Sequence, residues 1–235
     1  MSVLPRPLFA ADGSLLIPKD KYKLMNAIEE VKNEHSSESS TSSTVIPLLK
    51  VLVIDAMALI HPLKKSPTVR TLQDLQDVFI HNVERSLQGY DEGRVVFDRY
   101  LDMSLKNKTR ANKSSTSEDI TYLLHPSMRL TMSIRDLLSS TKTKRNLTLM
   151  FAKALIEYFQ SKPIKFYVVY DNIIVEPTSS SEHGHEEADT LIPHQVLASV
   201  KENPLKYITV RSPDTDVLIL LLDLVSNDLI DNRTV

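Results

Sequence analysis

Residues 46–55 read Ile-Pro-Leu-Leu-Lys-Val-Leu-Val-Ile-Asp, apolar at nearly every position and without alternation. A strand with one wet face alternates between apolar and polar residues, whereas a strand covered on both faces does not. The segment therefore predicts a central strand of a parallel sheet, and parallel neighbours can be joined only by long crossovers, usually helical. The rest of the chain supplies them. Residues 71–88, "TLQDLQDVFIHNVERSLQ", place Leu72, Leu75, Phe79 and Val83 on one helical face. "GRVVFDRY" is a second buried strand, 147–160 "LTLMFAKALIEYFQ" an apolar helix and "IKFYVVYDN" a third strand. "HEEADTLIPHQVLASVKEN" reads as a helix that Pro193 should kink or delay. The strand "KYITVRS" and the helix "DTDVLILLLDLVSN" close the pattern. Strands alternating with helices predict an α/β fold, a central parallel sheet flanked by helices.

With 235 residues, of which 42% are hydrophobic and 25% charged, the chain can hold one such domain and a small extension. The boundary expected from composition is at residue 45. Residues 1–33 contain "PLFAADGSLLIP", with a turn at Asp12-Gly13, then the helically spaced Tyr22, Met25 and Ile28. Residues 34–44, "EHSSESSTSST", are too polar to bury a core and read as a linker. Residues 46–235 form the main domain. There is no Cys, which excludes disulfides and thiolate metal sites. No apolar run reaches the length of a membrane span, so no membrane partner is expected and the location is taken as intracellular, nuclear or cytoplasmic. A net charge of −2 does not announce a nucleic-acid binder.

The informative feature is where the acids fall. Asp55 ends the first buried strand and Asp98 the second; Glu187 and Asp189 open a helix; Asp214 and Asp216 follow the last strand. Ligands of open α/β sheets bind in the crevice outside the carboxyl ends of the strands. Six carboxylates collected there would repel one another unless a cation offset them or their pKa values rose strongly. Oxygen donors without Cys point to Mg²⁺ or Mn²⁺. Two such ions roughly 4 Å apart can activate water and stabilise the leaving oxygen of a phosphodiester.

Each segment also has a plainer reading. Asp55 is placed to cap the helix "AMALIH", and Asp98 to pair with Arg99 or a nearby Lys. "SPDTD" is a good helix start, with Ser212 at the N-cap and Pro213 at the first helical position. "HEEADT" is an acidic first turn. Only a shared metal site accounts for all four together.

In order, "VLVIDAMALI", "VVFDRYLDMSLKNKTR", "HEEADT" and "SPDTDVLIL" resemble the successive acidic motifs of the PIN-like, flap-endonuclease superfamily. The set "FDRY", "HEEAD" and "DTDV" is closer still to a group of mobile-element-like animal proteins. The resemblance spans about residues 46–225. It implies a Rossmann-like PIN domain, two divalent ions and phosphodiester hydrolysis. By position it makes Asp55, Asp98, Glu187, Asp189, Asp214 and Asp216 ligands, directly or through water, with Glu186 a weaker candidate. It gives Lys106 and Arg110, in the basic segment after the second Asp, the scissile phosphate as partner. The superfamily's further Asp, from a Gly-containing turn beyond the fourth motif, has no match. Asp228 and Asp231 stand in loop positions there, so the resemblance implies a domain truncated at its C-terminus and an incomplete second metal site.

Other patterns carry less. His183, His185 and His194 around the acidic pair would allow zinc with Glu187, although "SSSEHGHEE" reads as a loop. "TKTKRN" at 141–146 is a basic patch suited to a phosphate backbone or to a solvated loop, the loop being the expectation. Four Gly in the chain leave no phosphate-cradling loop. A haloacid-dehalogenase-type phosphatase would need an Asp where Met57 stands. The expected function is a divalent-metal nuclease acting on DNA or RNA; the alternative is a catalytically inactive module that keeps the fold and binds nucleic acid.

Overall fold

The computed structural model describes residues 49–98, 122–170, 173–175, 180–182, 188–203, 206–227 and 229–230. The chain divides into two units, Met1–Val45 and Ile46–Val235, and everything that follows concerns the second. The turn, helix and linker expected before residue 46 lie outside the described residues, as does the basic segment 101–119.

The opening apolar run forms strand β1 (Leu49–Asp55), whose last five residues are buried. It lies between two parallel neighbours, β2 (Glu92–Val96) and β6 (Lys206–Arg211). Strand β3 (Lys165–Tyr170) pairs parallel with β2 on the far side. Short strands β4 (Ile173–Val175) and β5 (Ser180–Glu182) then fold back antiparallel, completing the order β5-β4-β3-β2-β1-β6. The four central strands are all parallel, as the alternation of strands with helices predicts. The antiparallel edge corrects the reading of "SSSEHGHEE" as a loop throughout. Ser180–Glu182 pairs with Ile173–Val175 despite its polarity, because an edge strand needs only backbone partners.

Two helical layers cover the sheet. On one face, Leu52 and Ile54 of β1, Val95 of β2 and Phe166 and Val168 of β3 share a core with four helices. These are α1 (Ala56–Ile60), α2 (Leu72–Ser86), α3 (Ile134–Leu137) and α4 (Thr141–Phe159). Phe79 of α2 stacks on Phe151 of α4 with centroids 4.9 Å apart, and Phe159 stacks on Phe166 at 3.9 Å. On the other face, Val51, Val53, Val96, Val169 and Ile208 meet α5 (Ala188–Glu202) and α6 (Thr215–Ser226). Each fully buried Leu, Ile or Phe in these layers contributes about 1.5–3 kcal/mol. Gly93 is required by close approach: a Cβ there would lie 2.6 Å from a Leu87 methyl and 2.9 Å from the Phe166 ring.

One boundary differs from the sequence expectation. Helix α4 begins at Thr141, because Ser140 accepts a hydrogen bond from the Thr143 amide, so "TKTKRN" is its first turns and not a loop. Helix α5 runs through Pro193, whose ring faces the core and removes only the hydrogen bond back to the Asp189 carbonyl.

The connections β1–β2 and β2–β3 run through helices on one face, and the return to β6 runs through α5 on the other. The order of the parallel strands thus reverses between β1 and β6. In open parallel sheets such a reversal opens a crevice at the carboxyl ends of the two strands that flank it.

Candidate metal centre

Asp55 is the last residue of β1 and the N-cap of α1, and both of its oxygens are used. Oδ1 accepts the Met57 amide at 2.8 Å, and Oδ2 accepts the Ser212 hydroxyl at 3.2 Å. The capping reading of this residue is therefore correct, and it is compatible with a place at the crevice. Asp55 pairs with Val96 across the sheet, and Ile54 with Arg211. The register brings Asp98, two residues past Val96, and Ser212, one past Arg211, to the same edge.

Asp98 reaches across to the other helical layer. Its Oδ1 accepts the Ala188 amide at 3.0 Å, at the start of α5 as described. The next residue, Asp189, is half-buried with Oδ1 closed off from solvent. After β6, Asp214 caps α6 by accepting the Asp216 amide at 3.0 Å. The helix therefore begins two residues later than the reading that put the cap at Ser212. An Asp two residues upstream of a free amide is the stronger local acceptor, and Ser212 is left to bridge. Its Oγ donates to Asp55 and accepts the Asp214 amide at 3.2 Å.

Carboxylate oxygens of Asp189, Asp214 and Asp216 all lie within 4.8 Å of one another. Asp55 and Asp98 lie outside this trio and are joined to it only through intermediate groups. Asp55 is tied through Ser212 to Asp214, Asp214 stands beside Asp189 and Asp216, and Asp98 is tied through the Ala188 amide to the start of α5. Asp98 and Asp55 repel: burial first, and then the charge of Asp98, hold the Asp55 carboxyl above its usual pKa, although the Met57 amide and Ser212 work against the rise. Two like unit charges 4–5 Å apart repel by about 3–4 kcal/mol at an effective dielectric of 20. The positive ends of α5 and α6 offset part of this.

Compared with profiles of protein families, with curated proteins and with solved structures, the chain matches none. The site is thus read from its own residues.

The donors fit a hard divalent cation. They are carboxylate oxygens, they converge at one point, and their mutual repulsion is relieved by positive charge. Asp189, Asp214 and Asp216 are the residues that would hold it, with Asp55 and Asp98 behind them. Glu187 and Glu186, Lys106 and Arg110, and Asp228 and Asp231 lie outside the described residues. His183 and His185 do too, while His194 is exposed on α5 and takes no part in the acidic cluster.

Ser212 is the residue beside the acidic cluster that sequence reasoning assigned to another role. Its spacing two residues before Asp214 signals a side chain that bonds the backbone; its reach to Asp55 depends on the β1–β6 register.

Proposed function

We propose that this chain is a divalent-metal-dependent nuclease that hydrolyses phosphodiester bonds of DNA or RNA, with Mg²⁺ or Mn²⁺ at Asp189, Asp214 and Asp216. The observation that carries the reading is the convergence of three carboxylates within 4.8 Å beside Asp55 and Asp98, at the strand-order reversal. Two segments far apart in sequence bring Asp189, Asp214 and Asp216 together, and Asp98 and Asp55 are linked to them through the Ala188 amide and Ser212. The order of the acidic motifs, similar to that of PIN-like and flap-endonuclease proteins, points the same way.

Within this reading each residue has a task. Asp189 and Asp216 stand on the first turns of separate helices, so the crevice is braced from both sides. Asp214 holds the start of α6 by accepting the Asp216 amide and also contributes a carboxylate oxygen to the cluster. Ser212 and the Met57 amide orient Asp55, and Asp98 anchors α5 where Asp189 begins. Bound divalent cations supply two things: a lower pKa for the attacking water and charge to offset the phosphate and the leaving oxygen. Glu187 would add a carboxylate, and a second ion would draw on Asp55 and Asp98. Lys106 and Arg110 would neutralise the scissile phosphate. An intracellular site of action, nuclear or cytoplasmic, belongs to the same proposal; among the described residues no helix is long and apolar enough to cross a membrane.

The test is cleavage of labelled single-stranded, duplex and flap substrates with Mn²⁺ or Mg²⁺, comparing wild type with Asp214→Asn. Asn caps a helix as well as Asp, so the variant should fold normally, with cleavage reduced by about two orders of magnitude or more. Equal cleavage by the two proteins would refute the site. Persistent binding without product on any substrate would favour the inactive module.

A further inference from the structure

Beside α1 lies an open cleft of about 850 Å³, lined among others by His61, Lys64, Lys65, Ser133, Arg135 and Ser139. Its lining includes three full cations and no carboxylate, on a chain whose net charge is −2. Among the described residues Lys64, Lys65 and Arg135 form no salt bridge, although other lysines of the domain are paired. A volume of this size is that of a ligand site. The Ser133 and Ser139 hydroxyls at the rim donate to the Asp136 carboxylate at 2.7 Å and to its carbonyl at 2.6 Å, so the attraction for an anion comes from the three cations. The basic patch "TKTKRN" is close by: Lys144 of α4 acts on His61, whose imidazole is held below its usual pKa by burial and by that cation, while Asp98 pulls the other way. His61 therefore stands between the cationic cleft and the acidic crevice. One short helix joins them, since α1 is capped by Asp55 at one end and by His61 at the other. At 1.5 Å per residue the two caps are roughly 9 Å apart along the axis, close enough for one nucleic acid strand to reach both.

We propose that this cleft binds the phosphate backbone of a nucleic acid strand, close to the phosphate held at the acidic crevice. The inference rests on the nuclease reading for its occupant and deepens it. Two segments, 64–65 and 135, bring cations to one place, whereas the acidic crevice alone would repel a polyanion. The cleft supplies the attraction that the net charge does not.

The experiment is anisotropy of a short labelled oligothymidylate in EDTA, with the full chain and with Lys64→Ala/Lys65→Ala/Arg135→Ala, across roughly 50–200 mM salt. All three side chains are exposed, so circular dichroism should be unchanged; Lys65→Glu alone is the second variant, expected to weaken binding in the same direction. The triple variant should bind at least roughly tenfold more weakly, and its salt slope should fall by about two, three contacts at 0.7 each on a single strand. Equal affinity and slope would overturn the proposal, as would failure of the wild type to bind. Poly-glutamate of matched charge bound as tightly by the wild type, and lost in the same variant, would reassign the cleft to acidic peptides and also overturn it. Because EDTA removes divalent cations, binding is read apart from turnover. Absence of cleavage in Mn²⁺ sinks the hydrolytic reading and leaves this comparison standing; equal binding sinks the cleft whatever the cleavage result.

Discussion

Ser212 ties the end of one strand to the start of a helix through a single hydroxyl. Its hydroxyl is shared between the Asp55 carboxylate and the Asp214 amide, so Ser212→Ala removes one of the two hydrogen bonds that orient Asp55, the Met57 amide keeping the other, and leaves one amide to water. At this half-exposed position we expect a stability cost under about 1 kcal/mol, seen as a small shift of the urea midpoint. We also expect a fall in kcat of roughly tenfold with KM little changed, because positioning and not substrate binding is lost. A purely structural serine would move the midpoint and leave kcat alone. Residues such as this are the least legible in a sequence. Asp55, Asp98, Asp189, Asp214 and Asp216 announce themselves by their places after strands and before helices. Ser212 acquires its meaning only when β6 lies beside β1.

Among the elements, α5 carries the greatest burden. Its first turn presents Asp189 to the crevice; its last turns are clamped at the opposite edge of the sheet. There Arg94 of β2, 1% exposed, donates to Glu92 at 2.6 Å, to the Gln195 side chain at 3.1 Å and to Glu202 at 2.8 Å, and stacks on the Tyr167 ring. Lys206 of β6 reaches Glu92 at 3.0 Å and Ser199 at 3.1 Å, and Lys165 of β3 reaches Glu202 at 3.1 Å. Three strands and one helix thus meet in one buried ionic network. Arg94→Met would leave buried carboxylate charge underneutralised and should cost about 3–5 kcal/mol in urea unfolding. Glu202 gives the pH signature. Burial raises its pKa, but the contacts from Arg94 and then Lys165 outweigh it and bring it down to about 2. A depressed carboxylate pKa stabilises the fold above the ordinary value of 4.5 and loses that contribution as pH falls from there toward 2. The side chain is 36% exposed, so after screening the loss should be roughly 1–2 kcal/mol. Thermal melts of Glu202→Gln should show a shallower acid limb across that window; an unchanged limb would remove Glu202 from the account. Nothing in the sequence marked this network. Its pairs lie up to 114 residues apart, and each charge alone looks like surface. The alternation of strands and helices was legible because burial on two faces removes polar positions from whole segments. Strand β5 was not, because an edge needs no apolar pattern.

At the scale of the whole domain, opposite edges of one sheet do different work. The amino edge is closed by paired charges that hold α5 in register. The carboxyl edge gathers negative charge at the β1–β6 reversal, offset only in part by the helix starts beside it, and a cationic cleft lies one short helix away. A fold stores such repulsion at a cost, and the cost has a purpose if a cation removes it. The direct measurement is thermal unfolding of the full chain during a Mn²⁺ titration, with Asp189→Asn/Asp214→Asn alongside. At a hundredfold excess over Kd, binding to the folded state stabilises by about 2.7 kcal/mol, which raises Tm by roughly 5–10 °C for a domain of this size. The wild type should show that rise, and the double variant should melt at or above the metal-free wild type and ignore Mn²⁺. A wild-type Tm that does not move with Mn²⁺, or a variant that follows the same titration curve, would contradict the account.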